Sequence, residues 1–198
     1  RGLAVLPFKP AQSGASPLDP ASDAARLAAA AGLPDARAIC PLSYDAPLAP
    51  GIAAQAEHTS TSAGAATHDR DAASVALERA IATHRPDLVL VEGAGGLLVP
   101  MPGDSWQPEW IAALADRVVI VARAGLGTIN HTLLTIEALR HRALRPIGIY
   151  LCEVAPADPS NRSNASVLAR ATDLPVLATV PHGLRDVPDL LTPLLAVL

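Results

Sequence analysis

Leu88-Val89-Leu90-Val91-Glu92-Gly93-Ala94-Gly95-Gly96 is an apolar run that ends in a carboxylate and a glycine-rich turn. The four apolar residues predict a buried strand. In a parallel sheet, ligands gather at the carboxyl ends of strands, and glycines there let backbone approach a ligand closely. An acidic side chain at that point suits a hard cation such as Mg²⁺, the usual companion of nucleotide phosphates. The plainer alternative is a strand, a solvated Glu and a turn.

Further short apolar runs predict strands at Leu3–Phe8, Val118–Val121, Ile147–Leu151 and Val176–Val180. Segments of helical composition lie between them: Asp19–Ala31, Asp71–His84, Thr128–Arg142, Asn161–Ala171 and a Pro-interrupted Val187–Leu198. Strands alternating with helices give βαβ units, hence an α/β fold with a mostly parallel sheet between helices. The small and polar stretch Ala53–Asp71 is expected to be a surface loop.

The 198 residues suit one domain, spanning 1–198. Half the residues are hydrophobic and 17% are charged, which excludes a disordered chain. A net charge of −4 argues against a nucleic-acid partner. No apolar run reaches the length of a membrane span, and no signal-peptide pattern opens the chain. Cys40 and Cys152 form no disulfide framework, which fits a reducing, cytoplasmic location.

Individual polar signals are ambiguous. Lys9 follows the first strand, and Pro10 favours an extended Lys9 that projects from the strand end. Its ammonium could neutralise a transferring phosphoryl group, or it could be an ordinary exposed Lys. Ser13 and Gly14 also fit turn chemistry. Asp23 near a helix start is either a capping residue or a second metal-binding carboxylate beside Glu92. Gly125-Leu126-Gly127-Thr128-Ile129-Asn130-His131 could present helix amides to an anion, or could be a plain strand–turn–helix junction. His131 is expected to pack or cap. Together these signals place Lys9, Asp23, Glu92 and Asn130 along the carboxyl edge of one sheet.

The ordered set Lys9-Pro10-x-Gln12-Ser13-Gly14, Ser22-Asp23-Ala24, Pro47-x-Ala49-Pro50, Val91-Glu92-Gly93-Ala94-Gly95-Gly96 and Gly125–Thr132 resembles the dethiobiotin synthases of the P-loop NTPase superfamily. The likeness runs from Leu3 to about Pro181. It implies an ATP- and Mg²⁺-dependent ligase that closes a cyclic urea from 7,8-diaminopelargonic acid and CO₂. One amine would become a carbamate, its oxygen would attack the γ-phosphate, and the second amine would then displace phosphate. On that likeness Lys9 is catalytic and Asp23 and Glu92 hold the metal. Ser13, Gly93, Ala94, Gly95, Gly96 and Asn130 meet the substrate, Asn130 across a homodimer interface. Nucleotide contacts fall on Asp23, Glu92, Gly93, Cys152, Pro181, His182 and Gly183. The implied fold is a three-layer α-β-α, P-loop NTPase-like arrangement.

Departures from the pattern carry expectations of their own. The chain starts at Arg1, and no G-x-x-x-x-G-K-[ST] loop occurs in it. Family members place a strand, that loop and a helix ahead of what is here Leu3. The first strand and the P-loop are therefore expected to be missing from this chain, which alone is then expected not to make dethiobiotin. Cys152-Glu153 stands where Asn-Asp is common, and a thiol cannot make the bidentate amide contact that reads adenine. Gly51 replaces a common His after Pro50 and receives no role. The competing readings are a cobyrinate-type amide ligase, a partition-type ATPase and a non-catalytic remnant. Neither Cys sits in a glutaminase context, and the C-terminal Thr192–Leu198 segment is neither basic nor uninterrupted.

Overall fold

The computed structural model describes residues 2–58, 68–156, 158–184 and 191–198. It divides into two compact units, Arg1–Ala115 and Asp116–Leu198. The first contains β1 (Val5–Phe8), β2 (Ala11–Ser13), α1 (Asp23–Ala30), β3 (Leu42–Tyr44), α2 (Pro50–His58), α3 (His68–His84), β4 (Leu88–Val91), β5 (Pro100–Met101), β6 (Ser105–Trp106) and α4 (Gln107–Leu114). The second contains β7 (Val118–Arg123), α5 (Thr128–His141), β8 (Pro146–Cys152), α6 (Asn161–Ala171), β9 (Val176–Val180) and α7 (Thr192–Leu195).

Pairing is parallel wherever helices separate the strands, as βαβ connection demands. In the first unit β1 pairs with β4 in the register Phe8↔Val91, and β2 pairs with β3. The antiparallel pair is the hairpin β5–β6, whose turn uses Gly103 and Asp104 at positive φ. In the second unit the order is β7-β8-β9, all parallel. The α/β expectation with mostly parallel sheets holds.

The core of the first unit joins Leu6 and Phe8 of β1 to Ala24 and Ala28 of α1, Ala73, Leu77 and Ala80 of α3, and Trp110 of α4. The Ala73, Leu77 and Ala80 spacing is a helical stripe, and both α1 and α3 lie against β1. In the second unit α5 lies against β7 and β8, while α6 and α7 lie against β9. Buried Ile136 and Leu139 of α5, Ile149 and Leu151 of β8, and Leu168 of α6 fill it.

Several expectations need correction. The 88–91 run is half-buried, with Leu90 40% exposed, because β4 has one strand neighbour among the described residues. Helix α1 starts at Asp23 rather than Asp19: Asp19 caps a turn by accepting from the Ala21 amide, and Ser22 is the N-cap. It stops as expected at Gly32, where the amides of Gly32 and Leu33 close on the Ala29 and Ala28 carbonyls with Gly32 at φ +67. The loop expected over Ala53–Asp71 is in fact helical at both ends. Ala53 and Ala54 of α2 are buried with Tyr44, and the Glu57 carboxylate accepts from the Asp45 amide. The middle of that stretch, 59–67, lies outside the described residues. The terminal helix expected from Val187 shows one described turn, α7, and 185–190 lie outside the described residues. Nothing in the chain's periodicity predicted β2, β3, the hairpin or α4.

Candidate active site

The β1–β4 register builds the site. Phe8 faces Val91, and the Glu92 amide continues the ladder to the Phe8 carbonyl at 2.8 Å. Lys9 and Glu92 therefore leave adjacent strand ends side by side. The Lys9 amide bonds to the Ile39 carbonyl at 2.8 Å, fixing the side chain's origin. Lys9 is 3% exposed, and its Nζ donates to Glu92 Oε1 (2.7 Å), Asp23 Oδ2 (3.2 Å) and the Gly93 carbonyl (2.9 Å). All three ammonium protons are engaged. This removes the alternative of an ordinary exposed Lys.

Asp23 reaches the site because the start of α1 is pinned from two sides. Ser22 Oγ accepts from the Ala25 amide at 3.1 Å as the N-cap. The buried Gln12 accepts from the Ala24 amide at 3.1 Å and donates to the Ala15 carbonyl at 2.8 Å. Capping is thus the work of Ser22 and Gln12, and Asp23 is released to pair with Lys9. Gln12 stands in the motif read from sequence, but an uncharged amide gave no hint of this role.

The cation is buried while its partners are wet: the Asp23 and Glu92 side chains are 58% and 49% exposed. Among the described residues, Asp23 Oδ1 and Glu92 Oε2 accept no hydrogen bond. No group of three or more His, Cys, Asp or Glu among the described residues could hold a metal. Two hard, solvent-facing carboxylates without a third protein ligand fit Mg²⁺ that keeps its waters and shares a nucleotide's phosphates, not a dedicated cage.

Ser13 Oγ donates to the Leu48 carbonyl at 2.5 Å, so toward a ligand it can act only as an acceptor. Gly14 has φ +80, and a Cβ there would lie 3.1 Å from Pro47, which explains the glycine opposite the Pro47–Pro50 segment. The turn Gly93–Gly96 folds around Gly95 at φ +73 and is braced by Gln107, a residue the sequence did not single out.

Asn130, Cys152 and Pro181–Gly183 belong to the second unit. Asn130 is exposed in the first turn of α5, after Gly127 at φ +90. The exposed His131 lies near Gly127. Cys152 ends β8 in register with Val180, so Cys152 and Pro181–Gly183 leave the carboxyl edge of the same sheet. Burial pushes the Cys152 thiol above its ordinary pKa. The loop from Ala124 to Gly127 is tethered by α6 and the residues before it. Asp158 accepts from the Leu126 amide, and the buried Asn164 donates to the Ala124 and Gly125 carbonyls. Contacts thus unite Lys9, Asp23, Glu92 and Gly93, whereas the second set forms its own edge.

Comparison with known proteins gives a consistent result. A family model described as an AAA domain matches residues 2–185. The ATP-dependent dethiobiotin synthetase BioD of Anaeromyxobacter sp. (strain Fw109-5) is 44% identical over 95% of this chain and 80% of its own length. The enzyme of the same name from Anaeromyxobacter dehalogenans (strain 2CP-C) is 46% identical over 91% of this chain and 77% of its own. That of Bacillus thuringiensis (strain Al Hakam) is 34% identical over 91% and 72%.

Proposed function

The chain belongs to the dethiobiotin synthetase family, and from that premise we propose that it serves the ATP-dependent closure of the dethiobiotin ring. The substrates in this reading are 7,8-diaminopelargonic acid, CO₂ and a nucleotide, and the ligase acts in biotin biosynthesis. Residues 1–198 are taken as one dethiobiotin-synthase-like domain, a reading supported by the family match running through both compact units.

One observation carries the proposal: a buried ammonium held between two half-exposed carboxylates and a backbone carbonyl. A charge in such a site interacts strongly with negative charge that develops beside it, because little water screens it. Lys9 would stabilise the carbamate and the transferring phosphoryl group. Mg²⁺, when bound, would supply charge neutralisation at the phosphates. Asp23 and Glu92 would hold it through their unengaged oxygens, and both with Gly93 would border the nucleotide. Ser13, as an acceptor, suits the N–H groups of a diamine, and the Gly93–Gly96 backbone would border the substrate or its carbamate. Asn130 would meet the substrate's carboxylate tail across a cytoplasmic homodimer, with sedimentation as a dimer as its check. Cys152, Pro181, His182 and Gly183 would flank the base, with weak discrimination because a thiol replaces an amide.

The test is product formation by the full-length protein from the diamine, bicarbonate, Mg²⁺ and ATP. Dethiobiotin and phosphate are expected in equal amounts, with other triphosphates accepted alongside ATP. Lys9→Met is expected to lower turnover by about 10²–10³-fold. A folded protein that carries a G-x-x-x-x-G-K-[ST] loop ahead of Leu3 and still makes no dethiobiotin would sink the proposal, and a strict preference for ATP would remove the role given to Cys152.

A further inference from the structure

The turn that follows Glu92 is glycine-rich and could take many shapes, yet its central peptide is gripped from both ends. The carbonyl of Gly93 accepts from Lys9 Nζ at 2.9 Å, and the amide of Ala94 donates to Gln107 Oε1 at 2.7 Å. These two groups belong to one planar peptide unit, so they cannot be oriented independently. The same Gln107 side chain donates through Nε2 to the Gly96 carbonyl at 3.0 Å, closing the turn. We infer that Gln107 is a positioning residue: its amide sets the plane of the Gly93–Ala94 peptide and thereby the place where Lys9 is held. The inference rests on the proposed reaction for its activity readout and on the geometry alone for its structural one.

Gln107 is suited to this by location as well as chemistry. It is the first residue of α4, it is 7% exposed, and its own amide bonds to the Val99 carbonyl at 3.0 Å. A Cβ at Gly93 would come within 2.7 Å of Gln107 Oε1, so the absence of a side chain at Gly93 makes room for the contact. The role needs an acceptor and a donor on one short planar end. Gln offers both, Met has no donor and only a weak thioether acceptor, and Glu offers both only when protonated. A rotation of the Gly93–Ala94 plane would break the Lys9 and Gln107 bonds together, leaving a buried ammonium short of an acceptor.

The experiment compares wild type, Gln107→Met and Gln107→Glu in the full-length protein. Gln107→Met, which fills the same volume, is expected to lose about ten- to a hundredfold in kcat with a much smaller change in KM for ATP. Gln107→Glu should recover relative to wild type as the pH falls from about 8 to about 6, the range in which a buried carboxyl titrates. The charged groups around this turn, Lys9, Asp23 and Glu92 with Glu109 on α4, are common to all three proteins. Hydrogen exchange supplies the independent arm: the Ala94 amide should be protected in wild type and exposed in Gln107→Met. Unchanged kcat/KM in Gln107→Met, a flat pH ratio for Gln107→Glu, or equal protection of Ala94 would each overturn the inference. If wild type itself proves inactive, the reaction proposal fails and the exchange result alone decides the role of Gln107.

Discussion

Gly51 shows how one backbone approach can dictate a residue. The family resemblance implies a His there, yet a Cβ at Gly51 would lie 2.6 Å from the Met101 carbonyl oxygen and 2.9 Å from the Met101 and Pro100 carbonyl carbons. These are backbone atoms of β5, which cannot swing aside as a flexible side chain can. Gly51→Ala is therefore expected to destabilise the protein by about 1–3 kcal/mol, read as a lower urea midpoint at unchanged m-value. An unchanged midpoint would mean that α2 and β5 are not in contact. The position had no legible role in the sequence because its reason lies fifty residues away. Lys9, Asp23 and Glu92 were legible for a different reason: ambiguous singly, these charged residues at strand and helix ends stand in the ordered motifs that carry the family resemblance. Gln12 and Gln107 were not, since an uncharged amide follows no periodic rule and its partners are backbone atoms brought close only by folding.

The strands and helices that the sequence disclosed are those with long apolar runs or a helical stripe, such as β8 and α5. Those it concealed are brief. Strands β2 and β3 have three residues each, too few for an alternation to be visible, and they exist because their parallel pairing places Ala11 opposite Leu42. Helix α2 was hidden by small residues that make a buried face without looking apolar, and α4 by the Pro108 in its first turn, a position where Pro is well tolerated. The loop between β7 and α5 is likewise set by another element. Asn164 of α6 donates to the Ala124 carbonyl at 2.6 Å and to the Gly125 carbonyl at 3.2 Å from a buried position. Asn164→Ala leaves both carbonyls without that donor and is expected to cost about 1–3 kcal/mol. Asn164→Asp should cost more, because a carboxylate would face two carbonyl oxygens. Hydrogen exchange within residues 124–130 should accelerate in both variants, and protection equal to wild type would show that α6 does not tether this loop.

Stability as a function of pH integrates these local environments, and both limbs follow from the titratable groups. Burial pushes the Cys40 thiol up to about 12, with Lys9 partly opposing and Asp23 reinforcing the shift. Burial also raises the phenol of Tyr44, where Asp69 and Glu57 add to the effect, and raises Tyr150 and Cys152. In the unfolded chain a thiol ionises near 9, so above that pH the unfolded state sheds protons that the folded state retains. Stability contributed by these groups is thus complete below about pH 9 and is lost as the pH climbs toward the folded value, by at most about 1.4 kcal/mol per pH unit for each of the buried Cys40 and Tyr44. At the acid end the signs reverse. Asp35 is held below its ordinary 3.8 by its hydrogen bonds to Arg37, Asp158 by Ser160 and the Leu126 amide, and Asp173 by Arg140. The unfolded chain takes up protons there first, so stability falls as the pH drops through the folded values of these carboxyls. Urea midpoints measured across the range should therefore form a plateau that declines below about pH 4 and above about pH 9. Cys40→Val should make the alkaline decline shallower while leaving the acid limb in place. A wild-type midpoint that stays level well above pH 9 would contradict the burial of Cys40 and Tyr44, and with it the packing of β3 and of the chain leading into it against the core of the first unit.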